Sequence, residues 1–327
     1  MPDKKKIAKL KELGADPDRL AKIAERDALI AREAAAAGRL GLEAHARKVA
    51  AEVRAEIAPG GKLVPEQGWL SFAPMPSDLC RVSPFAPMSK AEVAHRPWVD
   101  AMTIAKSSWG ELCYTGPRLS VFEEDVFLAL LALIDDPAER RESEVRGMPT
   151  TAWKGPLRQL LGLMGLTDGA SNYGRVKRAL RYMRATTFEI TLKSGRVNGC
   201  GLIGNYDFDP KTKEVSVTVD PVFHELYSKG SVTRLDVERR SKLAGAVTKC
   251  LYRFVMSHKG ARWDGHWMTV ARAINLDLSQ PDKELRRLLR GAVAGMIKAG
   301  ILAKGSALKG ENLALVRVAR TLAHSRP

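Results

Sequence analysis

Between Ser279 and Gly300 the residue pattern admits few folds. At about 100° per residue, with Leu285 as zero, Leu288, Leu289, Ala292 and Met296 fall between 300° and 40°, and Lys283, Arg286, Arg287, Arg290 and Lys298 between 100° and 220°. The spacing predicts a helix with one apolar face and one wholly basic face. Ser279 is placed to cap it, Pro281 suits its first turn, and Asp282 favours the positive end of its dipole. Gly300 then reads as a left-handed stop. Two β-like runs follow, Ile301 to Ala303 and Leu313 to Val318, joined by a loop rich in Gly, Lys and Asn. Counted from Trp267, the order of helix, turn, basic helix and hairpin reads as a winged helix-turn-helix.

A solvated surface helix is also charged on its outer side, but it mixes signs, and Glu284 is the only acid between Lys283 and Lys309. That asymmetry points to a polyanionic partner, and duplex DNA is the one a winged helix fits. The whole chain of 327 residues has a net charge of +16, and its last third, residues 230–327, carries 19 Lys and Arg against 7 Asp and Glu. Four cysteines, Cys80, Cys113, Cys200 and Cys250, stand far apart and pair with no histidine, so a zinc site and a disulfide framework are not expected. The longest apolar run, Val126 to Ile134, is far short of the roughly 20 residues that a membrane span needs. With no secretory signal, the expected location is cytoplasmic.

The expected fold class is α+β, with two tandem winged-helix domains behind a Pro-rich linker and an N-terminal helical segment. Residues 1–58 show helical spacing broken at Gly14 to Pro17 and at Gly38 to Gly41, which suggests short helices in a partly flexible leader. Residues 59–97 hold seven prolines, too many for a regular helix or a central strand, and read as a linker. Within them Gln67, Leu70 and Phe72 form an apolar island of the kind that docks in a partner's pocket, or that packs on the neighbouring domain.

Residues 98–229 then give a β-like start at Leu112 to Tyr114, a helix from Ser120 to Ile134 with an apolar stripe, and a charged loop from Asp135 to Gly147. A short helix from Leu157 to Met164 leads through a turn to a second basic helix, Ser171 to Arg184, and strands around Phe188 and Val215 to Val219 close the domain. Residues 230–327 repeat the order, with a long helix from Leu235 to His258. Two basic helices would then read one duplex, about a turn apart if a pseudo-twofold relates them.

Several stretches resemble the TrfA-type plasmid replication initiators, within the wider group of iteron-binding initiators with two winged-helix domains. They are Tyr114-Thr115-Gly116 followed by Leu119; Ala179-Leu180 with Met183-Arg184-Ala185-Thr186; and Leu235 to His258. Gln67 to Phe72 sits where that family carries a clamp-docking Gln-Leu-Ser-Leu-Phe, but here the anchors are spread over six residues. The resemblance implies a protein that binds direct repeats at an origin and recruits the host initiator, the replicative helicase and the sliding clamp. It also implies a monomer in exchange with a homodimer.

On this reading the DNA-contacting residues are Asn172, Tyr173, Arg175, Lys177, Arg178 and Arg181 on the first basic helix, and Lys283, Arg286, Arg287, Arg290 and Lys298 on the second, with Lys304 and Lys309 beyond it. Arg286, Arg287 and Arg290 are the expected base readers, because arginine grips guanine with two hydrogen bonds, and Lys283, Lys298, Lys304 and Lys309 suit phosphates. Gln67, Leu70 and Phe72 are the expected clamp contacts. A transcriptional regulator or autorepressor is the alternative. An enzyme is not expected, since the six histidines are scattered, no GxxxxGK[ST] loop is present, and no cofactor or metal is implied.

Overall fold

The computed structural model describes residues 72–318 except 108–109, 146, 193–194, 196 and 225–231. The expected N-terminal helices, and Gln67 and Leu70 of the docking island, lie outside the described residues. All described residues belong to one unit, Gln67–Pro327.

The Pro-rich stretch was expected to be a linker without regular structure, yet its described part folds into the body. Strand β1 (Phe72–Pro76), helix α1 (Ser77–Arg81), the short strand β2 (Phe85–Ala86) and helix α2 (Lys90–Ala94) follow one another, and Ala73, Met75, Cys80 and Phe85 are fully buried. A strand can hold Pro74 and Pro76 here because β1 has a neighbour on one side only, so half of its amides need no partner. The long strands β3 (Trp98–Ser107) and β4 (Gly110–Pro117) come next, and β5 (Leu119–Ser120) pairs with β2.

Helix α3 (Val121–Asp135) is the centre of the molecule. It starts on a capping box, in which Ser120 accepts from Phe122 N–H at 3.2 Å and Glu123 accepts from Ser120 N–H at 2.7 Å. A stripe was expected on this helix, but every residue from Val126 to Ile134 is buried. A helix that is apolar all round is packed on all sides, here by β1, by the helices Leu157–Leu163 and Ala170–Arg184, and by the strand Met148–Pro156.

Strands β6 (Arg140–Val145) and β7 (Met148–Pro156), helices α4 (Leu157–Leu163) and α5 (Ala170–Arg184), and strands β8 (Thr187–Leu192), β9 (Val197–Cys200), β10 (Ile203–Phe208) and β11 (Glu214–Val219) complete this part. They form two antiparallel sheets, ordered β10-β11-β7-β6 and β3-β4-β8-β9. The charged loop expected at Asp135 to Gly147 therefore contains an edge strand. Arg140 to Val145 is polar on both faces, so its pairing with β7 leaves no apolar alternation in the sequence. Two of the stretches that carry the family resemblance meet in space, since Tyr114 and Thr115 pair with Phe188 and Thr187 just after Ala185-Thr186.

Beyond the undescribed residues 225–231, β12 (Val232–Asp236) returns to pair with β1. The long helix expected from Leu235 to His258 is two helices, α6 (Val237–Ser241) and α7 (Ala246–Met256), because the backbone turns at Gly245 with φ +83, a value that side-chain-bearing residues resist. Then come β13 (Arg262–His266), α8 (Trp267–Ala273), the basic helix α9 (Asp282–Lys298), β14 (Ala307–Lys309) and β15 (Asn312–Val316). Their sheet is ordered β13-β15-β14.

The two halves thus share one topology. The run α3, β7, α4, α5, β10, β11 corresponds to α7, β13, α8, α9, β14, β15, and in both sheets the last strand lies between the other two. The first half is enlarged by β6 at the sheet edge and by β8 and β9, inserted between its basic helix and its terminal hairpin.

Charges join the halves. Glu124 of α3 is fully buried between Arg240 of α6, at 2.9 Å, and Arg253 of α7, at 2.6 Å. Asp125 accepts from Arg240 Nε at 2.8 Å and from Lys249 Nζ at 2.6 Å. Burial acts against the Arg240 charge, but Glu124 and Asp125 outweigh it and hold the group protonated, above its ordinary range.

Burial also pushes the thiols of Cys80, Cys200 and Cys250 up to about 12, while Cys113 on β4 is half-exposed. A thiol kept protonated and enclosed does not attack a disulfide reagent. Titration of the native protein at pH 8 with such a reagent is therefore expected to label Cys113 rapidly and the other three only after denaturant is added. Rapid native labelling of Cys80 or Cys250 would show that the packing of α1 on α7 is wrong.

Candidate nucleic-acid interface

The sequence that makes α9 also fixes which of its cations are free. Leu285, Leu289, Ala292, Val293 and Met296 are buried, so the helix is pinned along one stripe and Lys283, Arg287, Arg290 and Lys298 are exposed. Its start differs from expectation: Pro281 is the N-cap, and Ser279 instead donates its hydroxyl to Asp277 at 2.7 Å. Asp277 captures Ser279 in a local turn, so the hydroxyl is not available to the helix. Gly300, at φ +65, forms the expected stop, with Ile301 N–H donating to Met296 O and Gly300 N–H to Ile297 O, the two bonds of a Schellman motif. Arg239 adds a bond to Gly300 O at 2.8 Å.

The hairpin after α9 is shifted from the expected one. Ile301 to Ala303 contributes a single bridge, Leu302 to Arg317, and the paired strands are β14 and β15, turning at Gly310-Glu311. Lys309 stands exposed at that turn, and Lys304 is exposed in the loop before it.

Glu311 is a hub that the sequence does not announce. It accepts from the Trp267 indole N–H at 2.7 Å, lies 3.1 Å from His266 Nε2, and pairs with Arg286. Arg286 also donates to Gly310 O at 3.3 Å, and its guanidinium stacks 4.8 Å from the Trp267 ring centre. The Trp267 and Arg286 bonds hold the Glu311 carboxyl below the usual carboxylate range. Arg286, expected to read bases, is thus half-buried on the flank of α9, where it ties helix to hairpin. Arg287 pairs with Glu284 at the helix surface, and Lys283, Arg290 and Lys298 have no ion pair among the described residues.

This geometry makes a prediction. Arg286→Ala is expected to speed amide exchange in β14 and β15 and leave the protection of α9 intact, whereas Lys283→Ala changes neither. Equal exchange in wild type and Arg286→Ala would refute the tie.

The α5 interface is built alike. Val176, Ala179, Leu180 and Met183 are buried, and Arg175, Lys177, Arg178 and Arg181 are exposed. Aromatic rings fix three of them: Arg175 lies 4.1 Å over Phe122, Lys177 lies 4.3 Å over Phe208 of the hairpin, and Arg181 lies 5.5 Å from the Tyr182 ring. Asn172 accepts from Arg175 at 3.1 Å and donates to Thr167 O at 2.9 Å, which ties its side chain to the turn ahead of the helix. Tyr173 packs against the core. Its hydroxyl donates a hydrogen bond to Asp168, which raises its pKa, and Lys213 of the hairpin lies over its ring. The exposed crest of α5 is lined by Ser171, Gly174, Arg178 and Arg181, of which Ser171 and Gly174 carry no charge signal.

The region that holds the α5 interface also carries the match to known proteins. Residues 111–256 match the family of initiator replication proteins in its WH1 domain. The match starts in β4 and ends in α7, so it contains α5, its hairpin and all five members of the charge network. A solved structure of domains 2 and 3 of RctB, in selenomethionine form, is similar at 11% identity over 74% of this chain and 98% of that one, with a TM-score of 0.50. A second structure of domains 2 and 3 of RctB gives 8% identity, 76% and 100% coverage, and a TM-score of 0.49. The first of these likenesses shows a shared α+β fold. No curated protein sequence matches the chain.

Among the described residues no group of three or more His, Cys, Asp or Glu side chains is placed to hold a metal, and no helix is long and apolar enough to cross a membrane. Of the expected clamp contacts only Phe72 is described; it is half-buried and opens β1.

Proposed function

We propose that the chain is a replication initiator that binds direct repeats at an origin through two winged-helix modules, α3 to β11 and α7 to β15, and performs no covalent chemistry. The observation that carries this reading is the repeated topology with an exposed cationic helix in the same place in each copy, one copy lying in the stretch that matches the initiator family. Helix α5 presents Arg178 and Arg181, with Lys177 beside the hairpin. Helix α9 presents Arg287 and Arg290 as base readers, with Lys283, Lys298, Lys304 and Lys309 along the phosphates. Arg286, Asn172, Tyr173 and Arg175 hold the reading surfaces in position. The host initiator, helicase and sliding clamp are the proposed partners, with Gln67, Leu70 and Phe72 as the clamp anchor, and a monomer in exchange with a homodimer is the proposed assembly.

A plasmid whose only origin is the DNA beside this gene tests the reading. Replication that depends on the intact gene, and is lost in a Lys283/Arg287/Arg290 triple-alanine variant, supports an initiator. Repression of a promoter there without any replication would make the protein a regulator.

A further inference from the structure

A cleft of about 450 Å³ opens beside α5 and is lined by helices α2, α3 and α5 and the start of α7. Helix α2 contributes Lys90, helix α3 Phe122, helix α5 Arg175, Arg178 and Tyr182, and α7 its first residue, Ala246. Two of the cations on its walls are already engaged. Arg96 pairs with Glu123 at 3.1 Å and lies 4.2 Å over Tyr182, and Arg175 lies over Phe122. The other two, Lys90 and Arg178, are exposed and have no ion pair among the described residues. Since Arg96 and the capping box neutralise Glu123, the cleft presents two unpaired cations on a wall that also holds the rings of Phe122 and Tyr182, over which Arg175 and Arg96 already lie. Arg178 belongs both to this cleft and to the crest of α5.

An occupant must therefore be amphiphilic and anionic, and continuous with whatever lies on α5. A DNA strand meets all three conditions, because it alternates a phosphate with the apolar edge of a deoxyribose. We infer that the cleft seats one backbone strand of the duplex read by α5, with phosphates at Lys90 and Arg178 and sugars against Phe122 and Tyr182. The inference rests on the DNA-binding reading above. It assigns a DNA contact to Lys90, in the stretch that the sequence presents as a linker. Because Ala246 begins α7, the seated strand also lies against the second module.

Lys90 is exposed at the start of a five-residue helix whose Ser89–Glu92 capping box does not involve its side chain, so its replacement leaves the fold intact. The test is a salt titration of the full chain by fluorescence anisotropy, on a repeat-bearing duplex and on a random one, with Lys90→Ala, Lys90→Arg and Lys283→Ala. Lys90→Ala is expected to weaken both duplexes several-fold and to lower the slope of log K against log salt by about 1, while Lys90→Arg restores it. A wild-type slope for Lys90→Ala beside a lowered slope for Lys283→Ala overturns the cleft assignment and leaves DNA binding standing. No salt-dependent binding by the wild type removes both. If Lys90→Ala binds DNA normally but loses capture of a polyglutamate peptide, the cleft serves an acidic protein and the inference fails.

Discussion

Replacing Glu124 by Gln is expected to lower the unfolding free energy by about 3–5 kcal/mol, because it leaves the buried Arg253 guanidinium without its counter-charge and Arg240 with Asp125 alone. The Arg240 side chain is 1% exposed and those of Arg253 and Glu124 are 0% exposed, so in place neither arginine is hydrated by bulk water. Urea unfolding measures the loss, and Glu238→Gln is the control, since its pair with Lys242 lies at the surface and its removal leaves the midpoint unchanged. Replacing Glu124, Arg240 and Arg253 together by Leu, Met and Leu restores most of the stability if the penalty comes from stranded charge and not from lost packing. The network also joins α3, the central helix of the first module, to α6 and α7, which lead into the second. Glu124→Gln is therefore expected to weaken binding to a duplex carrying a full site more than binding to one carrying only the part read by α9. An equal loss on both would mean that the network stabilises the fold without setting the spacing of the modules.

The second large effect is on α9. Changing Lys283, Arg287 and Arg290 together to Ala removes three exposed cations from one face and is expected to reduce the salt slope by roughly 3, with the affinity at low salt falling on the order of a hundred-fold or more. Arg287→Ala alone is expected to lose preference at one base pair, on the order of ten-fold, and Lys283→Ala to weaken all sequences alike. Base preference unchanged in both Arg287→Ala and Arg290→Ala would remove direct readout from this helix. Helical structure is not at risk in these variants, because the stripe from Leu285 to Met296 that anchors α9 is untouched.

Where chemistry repeats along one element, the sequence was easy to read. The apolar stripes of α5 and α9, the Schellman stop at Gly300 and the alternation of β11 are all local patterns, and the structure keeps them. The parts that escaped depend on partners far away in the chain. Glu124 and Arg253 are 129 positions apart in the sequence, so periodicity assigns both to solvated faces although they bury each other. Strand β6 owes its pairing to the backbone of β7, and its charged side chains hide that. Helix α9 is capped at Pro281 because Asp277 takes the hydroxyl of Ser279, and Arg286 leaves the exposed face because Trp267 and Glu311 offer it a ring and a carboxylate. Base-reading and positioning arginines look alike in a sequence, since both need only an outward helical position.

The central claim is that one chain lays two reading helices on one duplex. Hydroxyl-radical footprinting of the full chain on the repeats beside its gene tests it most directly. The account predicts two protected patches per bound chain, about one helical turn apart, with the patch due to α9 lost in the Lys283/Arg287/Arg290 variant and the other retained. A single patch per chain, or even protection along the whole fragment, would contradict it.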